Sequence, residues 1–150
     1  MSYVLIFWGN STDSQCVFKL QKKAIRIIMG AKNNDSCREF FKLLKILPLF
    51  AQYIYSLLMC VVNNRNLFLD SADLYSIKKK RNSYNLHPPL CHITKYQKGV
   101  HYAGIRVFNQ LPTSIKGVAN ETEAFKKTLK RFLMENSFYS MDEFFFNFKE

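Results

Sequence analysis

Residues 13–29, Asp13-Ser14-Gln15-Cys16-Val17-Phe18-Lys19-Leu20-Gln21-Lys22-Lys23-Ala24-Ile25-Arg26-Ile27-Ile28-Met29, followed by Gly30, set the pattern by which the rest of the chain is read. At about 100° per residue, Lys19, Lys22, Lys23 and Arg26 fall within an arc of about 100°. Val17, Leu20, Ala24, Ile27 and Ile28 lie opposite, and Phe18, Ile25 and Met29 widen the apolar side. A helix over 13–29 is therefore predicted, opened by Thr12-x-x-Gln15 in capping-box form and stopped by Gly30. The four cations repel one another, and no glutamate four residues upstream relieves them. Contact with an anionic backbone resolves that strain better than a solvated face does.

Outward from this helix the same start signal recurs at Ser36-x-x-Glu39, Asn120-x-x-Glu123 and Ser140-x-x-Glu143, each before an apolar-periodic run. Helices are predicted at 37–46, at 48–63 with Pro48 at the first helical position, at 121–135 and at 141–148. Val100, Gly104, Val107, Phe108 and Leu111 share one face of a further helix ended by Pro112, although Ile105 and Val107 also alternate as a strand would. The expected fold class is all-α, an irregular helical bundle of about five to six helices with a long basic loop in the middle. The N-terminal helical region is 1–65, the connector 66–99 and the C-terminal helical region 100–150.

The connector holds Lys78-Lys79-Lys80-Arg81 and Pro88-Pro89 and has no sustained helical period. A structureless stretch of that length is unusual in a compact domain, so it is expected to meet a ligand, pack on a missing partner or be disordered. Its basic tetrapeptide fits a solvated loop, a nuclear-import signal or a phosphate-binding loop. Tyr75, Tyr84 and Tyr96 flank it and are candidates for stacking on unpaired bases.

Across 150 residues, 22 lysines and arginines face 11 aspartates and glutamates, a net charge of +11, which favours nucleic acid or an anionic membrane as partner. Residues 46–62 form an uncharged run at the lower limit of a membrane span, but Pro48, Gln52, Tyr53, Tyr55 and Ser56 favour a helix buried in the bundle, and no membrane partner is expected. The apolar run Val4 to Gly9 lacks a basic flank and is too short for a secretory signal. An intracellular location, nuclear or cytoplasmic, is expected, with the thiols reduced.

No catalytic residue, metal site or cofactor is expected in this chain. A two-metal centre needs convergent carboxylates, whereas the acids here are scattered, with no Asp-Asp pair, and Asp70 and Asp73 read as turn residues. Cys16, Cys37, Cys60 and Cys91 form no Cys-x-x-Cys pair, and His87, Cys91, His92 and His101 fit no standard ligand spacing. Gly-rich phosphate loops, Gly-x-Ser-x-Gly elbows and His-Glu-x-x-His are missing too.

Helix 121–135 repeats the first design, with Phe125, Leu129, Phe132 and Leu133 toward the core and Lys126, Lys127, Lys130 and Arg131 outward. Its acidic first turn and basic last turns complement the helix dipole, which accounts for the charges as fully as phosphate contact does.

Several blocks then line up in order: Phe7-Trp8-Gly9-Asn10-Ser11; Leu20-Gln21-Lys22-Lys23-Ala24-Ile25-Arg26; Ser36-Cys37-Arg38-Glu39-Phe40-Phe41-Lys42; Tyr102-Ala103-Gly104-Ile105-Arg106-Val107-Phe108-Asn109-Gln110-Leu111-Pro112; Phe125-Lys126-Lys127-Thr128-Leu129-Lys130. The series resembles the C-terminal, post-palm and thumb-like region of non-LTR retrotransposon reverse transcriptases of the jockey-like kind, along essentially the whole chain. The resemblance implies a fragment of an RNA-directed DNA polymerase whose paired aspartates and magnesium belong to a missing upstream polymerase domain. It implies a helical part that grips template and primer backbones without catalysing. A downstream zinc knuckle, found in some relatives, is not in this sequence.

The expected nucleic-acid contacts are Lys19, Lys22, Lys23 and Arg26, then Lys126, Lys127, Lys130 and Arg131, acting on phosphates and not on base edges. The alternative is a helical module that packs against other protein and has no nucleic-acid role.

Overall fold

The structure, a computed structural model, describes residues 2–9, 11–65, 85–86 and 99–147. The protein is all-α: α1 (Ser2–Trp8), α2 (Ser14–Met29), α3 (Arg38–Leu43), α4 (Leu49–Asn63), α5 (Val100–Gln110), α6 (Thr113–Lys116), α7 (Thr122–Asn136) and α8 (Met141–Phe146). These eight helices among the described residues exceed the expected five to six. The additions are α1, made from the apolar run that precedes Gly9, and α6, a single turn directly after Pro112. Lys78 to Arg81, Tyr75, Tyr84, Tyr96, Asp70, Asp73, His87, Cys91 and His92 lie outside the described residues.

Two compact units form, one from Met1–Ser56 with Leu129–Asn147 and one from Leu57–Thr128 with Phe148–Glu150. They interleave along the chain, with α4 and α7 each contributing turns to both.

In the first unit Phe18, Ile25, Cys37, Phe41 and Phe50 make a buried cluster, with Tyr139, Leu49 and Met141 packed against it. The Phe18 ring meets Phe50 and Tyr139 edge-on, with centroids 5.5 and 4.9 Å apart, the geometry that the ring quadrupoles favour. Helix α2 therefore sits on its core by Phe18 and Ile25. The opposite-lying residues of the apolar side do not reach that core: Leu20 and Ile27 remain 66% and 72% exposed. Gly9 fits here because a Cβ would stand 2.3 Å from the Tyr53 ring, a separation that no side chain tolerates.

The helix ends follow local rules, with exceptions. Gly30, at φ 63°, closes α2: its amide donates to the Ile27 carbonyl and the Ala31 amide donates to Arg26. The same double closure ends α3, but there Lys45 occupies the left-handed position at φ 53°, so α3 stops short of the expected residue 46. The Thr12 and Ser36 boxes do not form. Asp13 and Cys37 occupy the cap positions with helical dihedrals, whereas a capping side chain reaches back from extended backbone. The Ser140 box does form: its Oγ accepts from the Glu143 amide at 3.1 Å. Glu143 reaches one residue further back than usual and accepts from the Tyr139 amide at 2.7 Å.

In the second unit Leu57, Leu58, Val61, Ile105, Val107, Phe108, Ile115 and Phe125 are buried. Residues 100–110 are helical, which settles the helix against the strand reading. Their chain turns at Leu111, which adopts the extended backbone that a following proline imposes. Gly104 lets α5 approach Val61, whose Cγ2 lies 2.7 Å from where a Cβ would stand.

Candidate nucleic-acid interface

The cations of α2 divide into two kinds. Lys19 and Lys23 are exposed, but Lys22 and Arg26 are half-buried. The reason is the seating of the helix: with Phe18 and Ile25 on the core, Lys22 and Arg26 fall at its rim. The Lys22 ammonium sits 4.7 Å from the centre of the Phe18 ring and 5.8 Å from that of Tyr139, within cation–π range. The Arg26 Nε donates to the Asp35 carbonyl at 3.1 Å. Part of the repulsion that the sequence leaves open is thus relieved inside the protein.

A second arginine joins this rim. Arg38 stacks its guanidinium 4.4 Å from the centre of the Tyr139 ring and pairs with Glu143 at 2.6 Å. Burial pushes the Tyr139 phenol up to about 12, Cys37 adding to the rise while Arg38 and Arg26 oppose it. The Tyr139 hydroxyl is buried with no hydrogen-bond partner. Periodicity does not single out Arg38, because its role depends on Tyr139, about a hundred residues later in the chain.

On α7 all four expected residues, Lys126, Lys127, Lys130 and Arg131, are exposed, while Phe125, Leu129 and Leu133 are fully buried on the other side. Phe132 is half-buried. The four span residues 126–131, about 7.5 Å of helix axis, a length over which duplex DNA carries about four backbone charges. Among the described residues the ion pairs are Arg38 with Glu143 and Lys42 with Glu39, so neither this quartet nor Lys19 and Lys23 is neutralised by one.

Compared with protein-family models, with curated proteins and with solved structures, the chain matches none. Its reading rests on its own residues.

Two polar positions emerge that sequence reasoning passed over. Gln21 donates to the Leu47 carbonyl at 3.2 Å and accepts from the Leu49 amide at 2.9 Å, so it caps the start of α4 from α2. Its signal was present: a polar residue on the Phe18 side of the helix. Lys116 is buried, and its ammonium donates to the Asn85 carboxamide at 2.7 Å and to the Asn109 carbonyl. Burial lowers its pKa. Nothing in the local sequence marks it.

Among the described residues no three His, Cys, Asp or Glu side chains converge to hold a metal ion. None of the described helices is long and apolar enough to cross a membrane, α4 included.

Proposed function

We propose that this chain grips nucleic-acid phosphates without reading sequence, as the non-catalytic, thumb-like C-terminal part of a non-LTR retrotransposon reverse transcriptase. The observation that carries the reading is the outward quartet Lys126, Lys127, Lys130 and Arg131, all exposed and unpaired by acids among the described residues. Lys19 and Lys23 add two more such heads on α2. Lys22 and Arg26 rank below them, since ring faces and the Asp35 carbonyl already occupy their charge. In this reading the aspartate pair and its magnesium belong to an upstream polymerase domain, which is the chain's other partner.

Phosphate contact of this kind releases counterions, so affinity falls with salt at a log–log slope of about −0.9 per duplex phosphate neutralised. Fluorescence anisotropy with mixed-sequence RNA–DNA hybrid across a salt series measures it. Replacing Lys126, Lys127, Lys130 and Arg131 by Gln flattens the slope by two to four phosphates' worth, about 2 to 4 units, equally for unrelated sequences. Absence of binding at low salt removes the proposal, and so does an unchanged slope in the variant.

A further inference from the structure

Helix α2 has three sides. One rests on the core through Phe18 and Ile25, one carries Lys19 and Lys23, and the third is apolar and uncovered by the described residues. On the open side Val17, Leu20, Ile27 and Ile28 are 39%, 66%, 72% and 64% exposed, with exposed Ala24 between them. Scattered surface aliphatics need no explanation, but these are contiguous on one helix face.

Their spacing identifies the kind of surface they fit. Val17, Leu20, Ala24 and Ile27 are separated by three, four and three residues, the a and d positions of a heptad seam, which runs along about 15 Å of axis. Ala24 leaves a hole between Leu20 and Ile27 into which a knob from a second helix fits. Lys23 occupies the position immediately beside the seam, with Lys19 one turn away, while the other flank carries neutral Gln21 and Ile28. The electrostatic edge is one-sided and positive. A second copy of this chain, itself at +11, brings like charge to like and does not suit it. A lipid surface makes no use of a knob-sized hole or of the three-four spacing.

We infer that the open face of α2 is a docking seam for an amphipathic helix of another protein, apolar at three-four spacing and acidic along the edge that meets Lys23 and Lys19. This goes beyond the phosphate-gripping role, which rests chiefly on α7. Apolar burial supplies the affinity, and the acidic edge sets orientation and partner choice.

The test uses the full chain and, as probe, a synthetic peptide of about three heptads with Leu at a and d and Glu at e and g, beside a version with Lys in place of Glu. The Glu peptide binds and the Lys peptide binds at least tenfold more weakly, about 1.4 kcal/mol. Leu20→Glu with Ile27→Glu weakens the Glu peptide at least tenfold with unchanged helicity, since both positions are exposed. Lys23→Glu, which leaves the seam intact, narrows or inverts the preference between the two peptides and stands as the check if the double variant fails to fold. Equal affinity for both peptides overturns the inference, as does binding indifferent to Leu20→Glu and Ile27→Glu. Two further results overturn it by naming another occupant: a wild-type dimer in sedimentation that the double variant dissociates, or binding to phosphatidylserine vesicles that the double variant abolishes while neither peptide binds.

Discussion

The Asn109 carboxamide and the Leu86 peptide pair in both directions: the Leu86 amide donates to Asn109 Oδ1 at 2.7 Å, and Asn109 Nδ2 donates to the Leu86 carbonyl at 2.8 Å. A side chain on α5 thereby serves both backbone groups of Leu86. Leu86 is only 2% exposed, so its two backbone groups have no recourse to water. Lys116 extends the arrangement by holding the Asn109 carbonyl and the Asn85 side chain.

Asn109→Ala leaves a buried amide and a buried carbonyl without this partner, and it destabilises the protein by about 2–4 kcal/mol. Urea unfolding measures the loss, and hydrogen exchange at the Leu86 amide shows the accompanying loss of protection. A shift of the midpoint without faster exchange at Leu86 would place the effect elsewhere.

Gly104→Ala forces a methyl to within 2.7 Å of Val61 Cγ2, and destabilises by about 1–3 kcal/mol even though alanine is the better helix former. Val61→Ala opens the space the new methyl requires. The double variant is therefore more stable than the sum of the single losses predicts, with a coupling of about 1 kcal/mol or more. Simple additivity in denaturant unfolding refutes the close approach.

Gln21→Met keeps the shape of the side chain and removes both bonds to the 47–49 backbone, lowering stability by about 1–3 kcal/mol. Gln21→Glu retains the acceptor for the Leu49 amide and loses only the donor, so its effect is smaller. The order Gln, Glu, Met in unfolding midpoint is the expected result, and equal midpoints for all three contradict it.

Tyr139→Phe removes a buried hydroxyl that has no partner, and stabilises at neutral pH by about 1 kcal/mol. The variant also changes the alkaline limb. The folded phenol, at about 12, lies above the unfolded value of 10.0, so its contribution is fully present below pH 10 and is lost as pH rises toward 12. Wild type therefore loses stability over that interval faster than Tyr139→Phe. Parallel losses, followed by tyrosinate absorbance and unfolding midpoint together, exclude this account.

Six of the eight helices among the described residues are legible because their periods are long or their ends are local: Gly30, Pro112 and the Ser140 box each act within one turn of the residue that specifies them, whereas α1 and the single turn α6 carry no such signal. What periodicity does not give is which part of a wide apolar arc meets the core. Around α2 the apolar residues cover more than half the circumference, and the rotation is fixed by the ring contacts of Phe18 with Phe41, Phe50 and Tyr139, by the burial of Ile25 and by the Gln21 bonds to the 47–49 backbone. That rotation draws Lys22 and Arg26 to the rim and leaves Leu20 and Ile27 outside. Arg38, Lys116 and the Asn109 clamp were illegible for a related reason, since each partner is remote in sequence or is a backbone group that no side-chain pattern announces.

Gly9, Gln21, Gly104 and Asn109 all fall within the blocks that carry the resemblance, and each serves the packing of the chain. Gly9 and Gly104 permit close approaches, while Gln21 and Asn109 clamp backbone groups. The charged positions of α7, by contrast, make no ion pair among the described residues.

Cys37 sits in the first unit's aromatic cluster at 2% exposure, its thiol directed at the Lys22 carbonyl, whereas Cys16 is on the surface. Alkylation of the surface thiol proceeds at the speed of the reagent, but alkylation of Cys37 waits for α2 and α3 to separate. With reagent in such excess that alkylation outpaces reclosing, the slower step becomes a clock built into the molecule, ticking at the frequency with which that unit breathes.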